Sequence, residues 1–172
     1  VSSGWNQVVG FQYDSLGRMY VWEKSGKVWF VDANGVKSTT PVINLSDEVG
    51  NWRDHGLNGF ALDPNFNTNG YIYLYYTVDY YALKNKGKLN YSTTTNEYLR
   101  ATIVRVTRYT CDAANDFKTA LISTRLVLIG KTIKDGIPLL HTSHSGGSLV
   151  FGDDGSLLIS TGDGSSFNQV DT

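Results

Sequence analysis

The 172-residue chain reads as all-β, and three observations say so. Eighteen glycines, eleven tyrosines, seven phenylalanines and four tryptophans suit a chain of strands and tight turns rather than long helices. Hairpin signals such as Ser25-Gly26, Asn34-Gly35 and Asp153-Asp154-Gly155 separate short apolar runs. A unit made of an apolar strand, an acidic turn ending in glycine and a second apolar strand recurs along the chain. Phe11 to Phe60 is 49 positions and Phe60 to Leu149 is 89. A repeat of roughly 40–50 residues carrying about four strands is the signature of a β-propeller blade.

Taken in order, Val8–Tyr13 is a short apolar segment followed by the turn Asp14–Gly17, then a strand over 18–23 and another over 27–32. Asn34-Gly35 turns the chain again into Val36, so four short antiparallel strands are expected in a first blade over about 8–40. A second blade is expected over about 56–130. It begins at Gly59-Phe-Ala-Leu-Asp-Pro64, turns at Asn69-Gly70 and continues in the long apolar run 71–78. The stretch 79–99 is polar, rich in Thr and Asn and without alternation, and reads as an insertion with Lys84, Lys86 and Lys88 on a solvated face. Strands resume over 101–109 and 125–129. The pair 148–152 and 156–160, with its flanks over about 144–166, opens a third blade. Propellers close with roughly 4–8 blades, so two and a half imply that the rest of the propeller lies outside these residues.

The totals exclude several partners. Fifteen basic against sixteen acidic residues offer nucleic acid no electrostatic footprint, and no apolar run reaches the roughly 18 residues of a membrane span. Cys111 is the single cysteine, which leaves no internal disulfide and no cysteine-based zinc site. Asn44 and Asn90 open Asn-x-Ser sequons, relevant only in a eukaryotic secretory setting.

Titratable groups gather at the open end of the third-blade hairpin. His141 and His144 precede its first strand, and Asp163 in Thr161-Gly-Asp-Gly164 follows its second. Pro138 and the Gly146-Gly147 pair argue against a helix there, so the spacing of the two histidines is not that of a helical metal site. An imidazole at the start of an innermost strand can serve as general base on a hydroxyl. Whether Asp163 falls beside His144 depends on hairpin register, which the sequence leaves open. Asp54 and His55, in Asn51-Trp-Arg-Asp-His-Gly-Leu-Asn-Gly59, occupy the equivalent position before the innermost strand of the second blade.

Two blocks carry a resemblance. Asp54-His-Gly-Leu-Asn-Gly-Phe-Ala-Leu-Asp-Pro-Asn-Phe66 with Asn69-Gly-Tyr-Ile-Tyr-Leu-Tyr-Tyr76, and His144-Ser-Gly-Gly-Ser-Leu-Val-Phe-Gly-Asp-Asp-Gly155 with Thr161-Gly-Asp163, are similar to blocks of the glucose/sorbosone dehydrogenase family. Those proteins are soluble quinoproteins on a six-bladed propeller. The resemblance covers roughly residues 8–166 and implies oxidation of a sugar or related alcohol with pyrroloquinoline quinone (PQQ) and Ca²⁺, an external electron acceptor and an extracytoplasmic location. It implies His144 as general base and Asp163 as the aspartate that orients it. Asp54, His55 and Ser143 are implied near the cofactor, with most PQQ and Ca²⁺ ligands on later blades. Two positions depart from the family pattern: Asp54 stands where a glutamine is usual, and Ser143 where an aspartate is. The alternative reading is a catalytically silent propeller that binds a carbohydrate or a protein.

Overall fold

A computed structural model describes residues 3–166. Within them lie eleven strands in three antiparallel sheets, arranged as successive propeller blades. The first sheet has the order β1-β2-β3-β4, from Val8–Tyr13, Met19–Glu23, Lys27–Val31 and Ile43–Asn44. The second runs β5-β6-β7-β8, from Leu57–Leu62, Tyr71–Val78, Thr102–Cys111 and Ala120–Ile129, with β9 (Ile137–Leu139) also paired to β7. The third is the hairpin of β10 (Gly147–Phe151) and β11 (Leu157–Thr161). The first strands of the three sheets lie side by side, β10 against β5 and β5 against β1.

Side-chain alternation on β6 explains how one strand joins all three sheets. Ile72, Leu74, Tyr76 and Val78 belong to the core shared with the first sheet, alongside Tyr20, Val28, Phe30 and Phe60. Tyr73 and Tyr75 belong to a second core, with Val104, Val106, Leu139 and Leu149 of the third sheet. Because successive strand residues face opposite ways, a strand buried on both faces must be apolar throughout. That is why 71–78 shows no polar alternation. Arg18 clamps the first two sheets from outside: its Nε is 2.6 Å from Asp14 Oδ2 and its Nη2 donates to Asn67 Oδ1 at 2.6 Å. Cys111 is buried, and that burial pushes its thiol up to about 12, so it is an inert core residue.

Two local expectations change. The fourth strand of the first sheet is Ile43–Asn44 rather than the run at Val36. Val36 is exposed and Lys37 makes only a single bridge, to Val31; the buried Ile43 and Val42 supply the apolar side chains an outer strand needs. The insertion opens with a short helix, Tyr80–Asn85, capped by Asp79, whose carboxylate accepts from Tyr81 N at 2.9 Å and Ala82 N at 3.4 Å. Lys86 is exposed with Lys84 and Lys88, and its Nζ also reaches Asp47 Oδ2 at 2.8 Å and the fully buried Glu48 at 2.8 Å. Among the described residues, no helix is long and apolar enough to cross a membrane.

Candidate functional site

The β10–β11 register decides the geometry at the hairpin's open end. Gly147 pairs with Thr161 and Phe151 with Leu157, so residues just before β10 and just after β11 come side by side. Backbone bonds extend the ladder past the strands, from Gly162 N to Gly146 O at 2.6 Å and from Gly164 N to His144 O at 3.1 Å. His144 and Asp163 therefore meet, with His144 Nδ1 3.1 Å from Asp163 Oδ1 and 3.3 Å from Ser165 Oγ. Both side chains are solvent-accessible, 45% and 69%. The N–H of Ser165 donates to Asp163 Oδ1 at 3.1 Å, and this bond, followed by those from the Ser165 hydroxyl and His144, holds the Asp163 carboxyl below its ordinary range. An ionised Asp163 fixes the proton on Nδ1 and leaves Nε2 as the ring's acceptor.

Asp54 holds the other side of His144. Its Oδ2 accepts the His144 N–H at 2.9 Å, and its own N–H donates to Thr142 O at 3.2 Å. The loop before β5 and the loop before β10 are thus joined, and His144 is held at φ 56°. A left-handed conformation in a non-glycine residue persists only where its surroundings impose it. An open cavity is lined by Arg53, Asp54, Ser143 and His144. Ser143 contributes to that lining while its hydroxyl is engaged below the surface, 2.9 Å from His141 Nδ1 and donating to Ser165 O at 2.7 Å. His55 points inward and is 3% exposed, with Nε2 3.1 Å from His141 O. Burial, opposed by that backbone bond, lowers its pKa and favours the neutral ring.

Two glycines make the convergence possible. A Cβ on Gly162 would lie 1.9 Å from His144 O, and one on Gly147 would lie 2.4 Å from Tyr75 Cζ and 2.5 Å from Ser160 O. Gly162→Ala should therefore displace the His144 carbonyl, and overpacking of this kind costs about 1–3 kcal/mol. The expected readout is a lower Tm together with shifted imidazole resonances of His144; an unchanged His144 spectrum would show that the loop absorbs the methyl. Sequence reasoning overlooked Ser165 and Gly162. The signal for Ser165 was present, since Asp-Gly-Ser is an Asx-turn pattern in which the aspartate accepts from the residue two positions on.

A propeller of antiparallel blades with a histidine–aspartate pair where its innermost strands converge is the class this architecture defines. The chain belongs to the glucose/sorbosone dehydrogenase family, whose sequence model matches residues 7–172. It is 28% identical over 170 residues to human Hedgehog-interacting protein, covering 95% of this chain and 22% of that protein. The mouse Hedgehog-interacting protein is 27% identical over the same length and coverage. Among solved structures it resembles an oxidoreductase described as a glucose dehydrogenase from Thermus thermophilus, with TM-score 0.63 and 25% identity over 91% of this chain and 37% of that one. It also resembles the PQQ-bound aldose sugar dehydrogenase of Streptomyces coelicolor, with TM-score 0.62 and 21% identity over 98% of this chain and 41% of that one. The chain thus spans about a fifth of the length of the Hedgehog-interacting proteins it matches.

Proposed function

We propose that this chain supplies the base half of a PQQ-dependent dehydrogenase that oxidises a hydroxyl of a sugar or related alcohol. The contact between His144 Nδ1 and Asp163 Oδ1 at 3.1 Å carries the reading. It leaves the far nitrogen of an accessible imidazole free to take a proton. The donor set suits an anionic quinone in part: Arg53 contributes a guanidinium to the cavity beside His144. Among the described residues, no three His, Cys, Asp or Glu side chains gather as a metal site, so no Ca²⁺ ligand set is assigned here. When bound, PQQ supplies the hydride acceptor. The chain's own residues do the rest. His144 Nε2 accepts the substrate's hydroxyl proton. Asp163 keeps the other ring nitrogen protonated and steadies the imidazolium that results, and Asp54 holds the backbone that aims the ring.

The test is dye-linked oxidation of a panel of aldoses and alcohols by the intact natural protein supplied with PQQ and Ca²⁺. Turnover supports the reading. Absence of turnover with every substrate, and of any quinone spectral change on mixing, would sink it. Asp163→Asn should favour the wrong tautomer and lower kcat by between tenfold and ~10⁴, with the fold unchanged by circular dichroism because Asp163 is exposed.

A second reading is a propeller that binds without catalysis, presenting its inner-strand rim to a protein partner. The identity to human Hedgehog-interacting protein over 95% of the chain favours it. In that case His144→Asn leaves partner binding to be decided by the rim as a whole, and no sugar is oxidised.

A further inference from the structure

The loop before β10, which carries His144, is fastened to the loop before β5 by more than Asp54. Asn58 Nδ2 donates to Asp54 O at 2.9 Å and to Ser145 O at 3.4 Å. His55 Nε2 lies 3.1 Å from His141 O. A carbonyl oxygen can only accept, so Nε2 carries the proton in this contact and donates it. Burial favours the neutral ring, which is then the Nε2–H tautomer with Nδ1 unprotonated.

These ties differ in their shelter from water. Asp54 is exposed and Asn58 half-buried, and they hold the segment 142–145 at its middle and end. His55 is buried and holds the start of that segment, at His141. A hydrogen bond in a low-dielectric setting is electrostatically stronger than one in contact with water. The cavity beside His144 is lined by Arg53, Asp54, Ser143 and His144, and the His55 ring takes no part in that lining.

Both loops need such bracing. Arg53 at φ 51° and His144 at φ 56° are left-handed non-glycine residues, one on each loop, and such conformations persist where the surroundings over-determine them. The loop before β5 is itself anchored to the first sheet. Leu57 N donates to Lys24 O at 2.9 Å, and the Lys24 ammonium donates to Arg53 O. His55 N donates to Trp52 O at 2.9 Å, so the imidazole springs from a closed turn. A fixed loop thus reaches across through a buried donor to the loop that carries His144.

We propose that His55 is a positioning residue for His144: its buried imidazole, donating from Nε2 to His141 O, sets the loop from which His144 reaches the cavity. It acts through that loop rather than by contact with a cofactor or substrate. The kinetic consequence rests on the dehydrogenase reading, whereas the effect on the placement of the His144 ring does not.

The test compares His55→Phe, which keeps a planar ring and loses the donor, with His55→Gln, whose Nε2 restores a donor at similar reach. Both are made in the intact protein and followed by NMR. In His55→Phe the His144 ring resonances should shift, and its amide should exchange with solvent at least about tenfold faster. His55→Gln should return both to near the unsubstituted values. In the PQQ- and Ca²⁺-supplied protein, His55→Phe should lower kcat by about 10–10² with KM little changed, the order of loss for a slightly misplaced catalytic group. His55→Gln should recover most of that loss. If His55→Phe does not fold, His55→Asn, whose amide is one bond too short to reach His141 O, takes its place in the comparison. A lowered Tm with His144 resonances and exchange unchanged overturns the proposal, because it marks a structural residue only. An equal disturbance in His55→Gln overturns it too. If the spectra respond as expected while even the unsubstituted protein oxidises no sugar, the positioning role stands and the dehydrogenase reading falls.

Discussion

His144→Asn should reduce kcat of the PQQ- and Ca²⁺-supplied protein by ~10²–10⁴, the range for removing a general base, while leaving its Tm nearly unchanged. The choice of asparagine matters. His144 sits at φ 56°, where alanine suffers roughly 1–2 kcal/mol of left-handed strain that asparagine largely avoids. His144→Ala therefore mixes loss of the ring with displacement of the loop. Asparagine keeps the N–H that donates to Asp54 Oδ2 and isolates the ring. Steady-state kinetics on the two variants, with thermal melts beside them, separates the effects. A rate unchanged in His144→Asn would reassign the histidine to a structural role.

Glu48→Gln should be the most destabilising of the conservative substitutions. Glu48 is fully buried on the loop between β4 and β5. Its carboxylate accepts from Arg125 Nη1 at 3.1 Å and Nη2 at 2.8 Å, from Lys86 at 2.8 Å and from the Tyr76 hydroxyl. Arg105 Nη1 approaches at 3.8 Å. Neutralising Glu48 leaves Arg125 and Arg105 around a buried amide, with Lys86 still paired to Asp47, and breaking a buried pair in this way costs about 3–5 kcal/mol. Arg125 and Lys86 keep some access to water, which places the expected cost toward the lower end. Denaturant unfolding measures it, and a loss below ~1 kcal/mol would mean that water already screens the cluster.

The same residue governs acid stability. Burial alone would raise the Glu48 pKa, but Arg125 first and then Lys86 outweigh it and hold the carboxyl below the ordinary glutamate range. A depressed folded pKa contributes stability that is complete above the unfolded value and disappears as pH falls through the folded one. His55, also depressed, by burial, adds a loss that begins below the ordinary histidine value of about 6.5. The wild-type protein should therefore lose stability in two stages on acidification, and Glu48→Gln should shrink the more acidic one.

The residues of the proposed site were legible in the sequence because their positions are local. His144 precedes a strand that must start at Gly147, Asp163 follows one that must end near Thr161, and Asp-Asp-Gly joins them. Glu48 was not legible. It lies in a short polar stretch, and its partners at positions 76, 86, 105 and 125 come from other segments of the chain. Its ion pair with Lys86 was hidden for the same reason: nothing near Lys86 in the chain announces a buried carboxylate. The fourth strand was missed because outer strands are short and pair on one edge only, so two residues, Ile43 and Asn44, leave almost no periodic trace.

Strand type and the tight turns follow from the sequence alone, since each depends on residues close to one another in the chain. The pairing of His144 with Asp163 needed the register, and a slip of one residue would have turned the alternating side chains to opposite faces. The capture of the His144 backbone by Asp54, 90 positions earlier, and the reach of His55 to His141 O belong to the tertiary structure. They depend on how one blade leans on the next, and packing across sheets is set by shape and burial over the whole molecule, which no local pattern records.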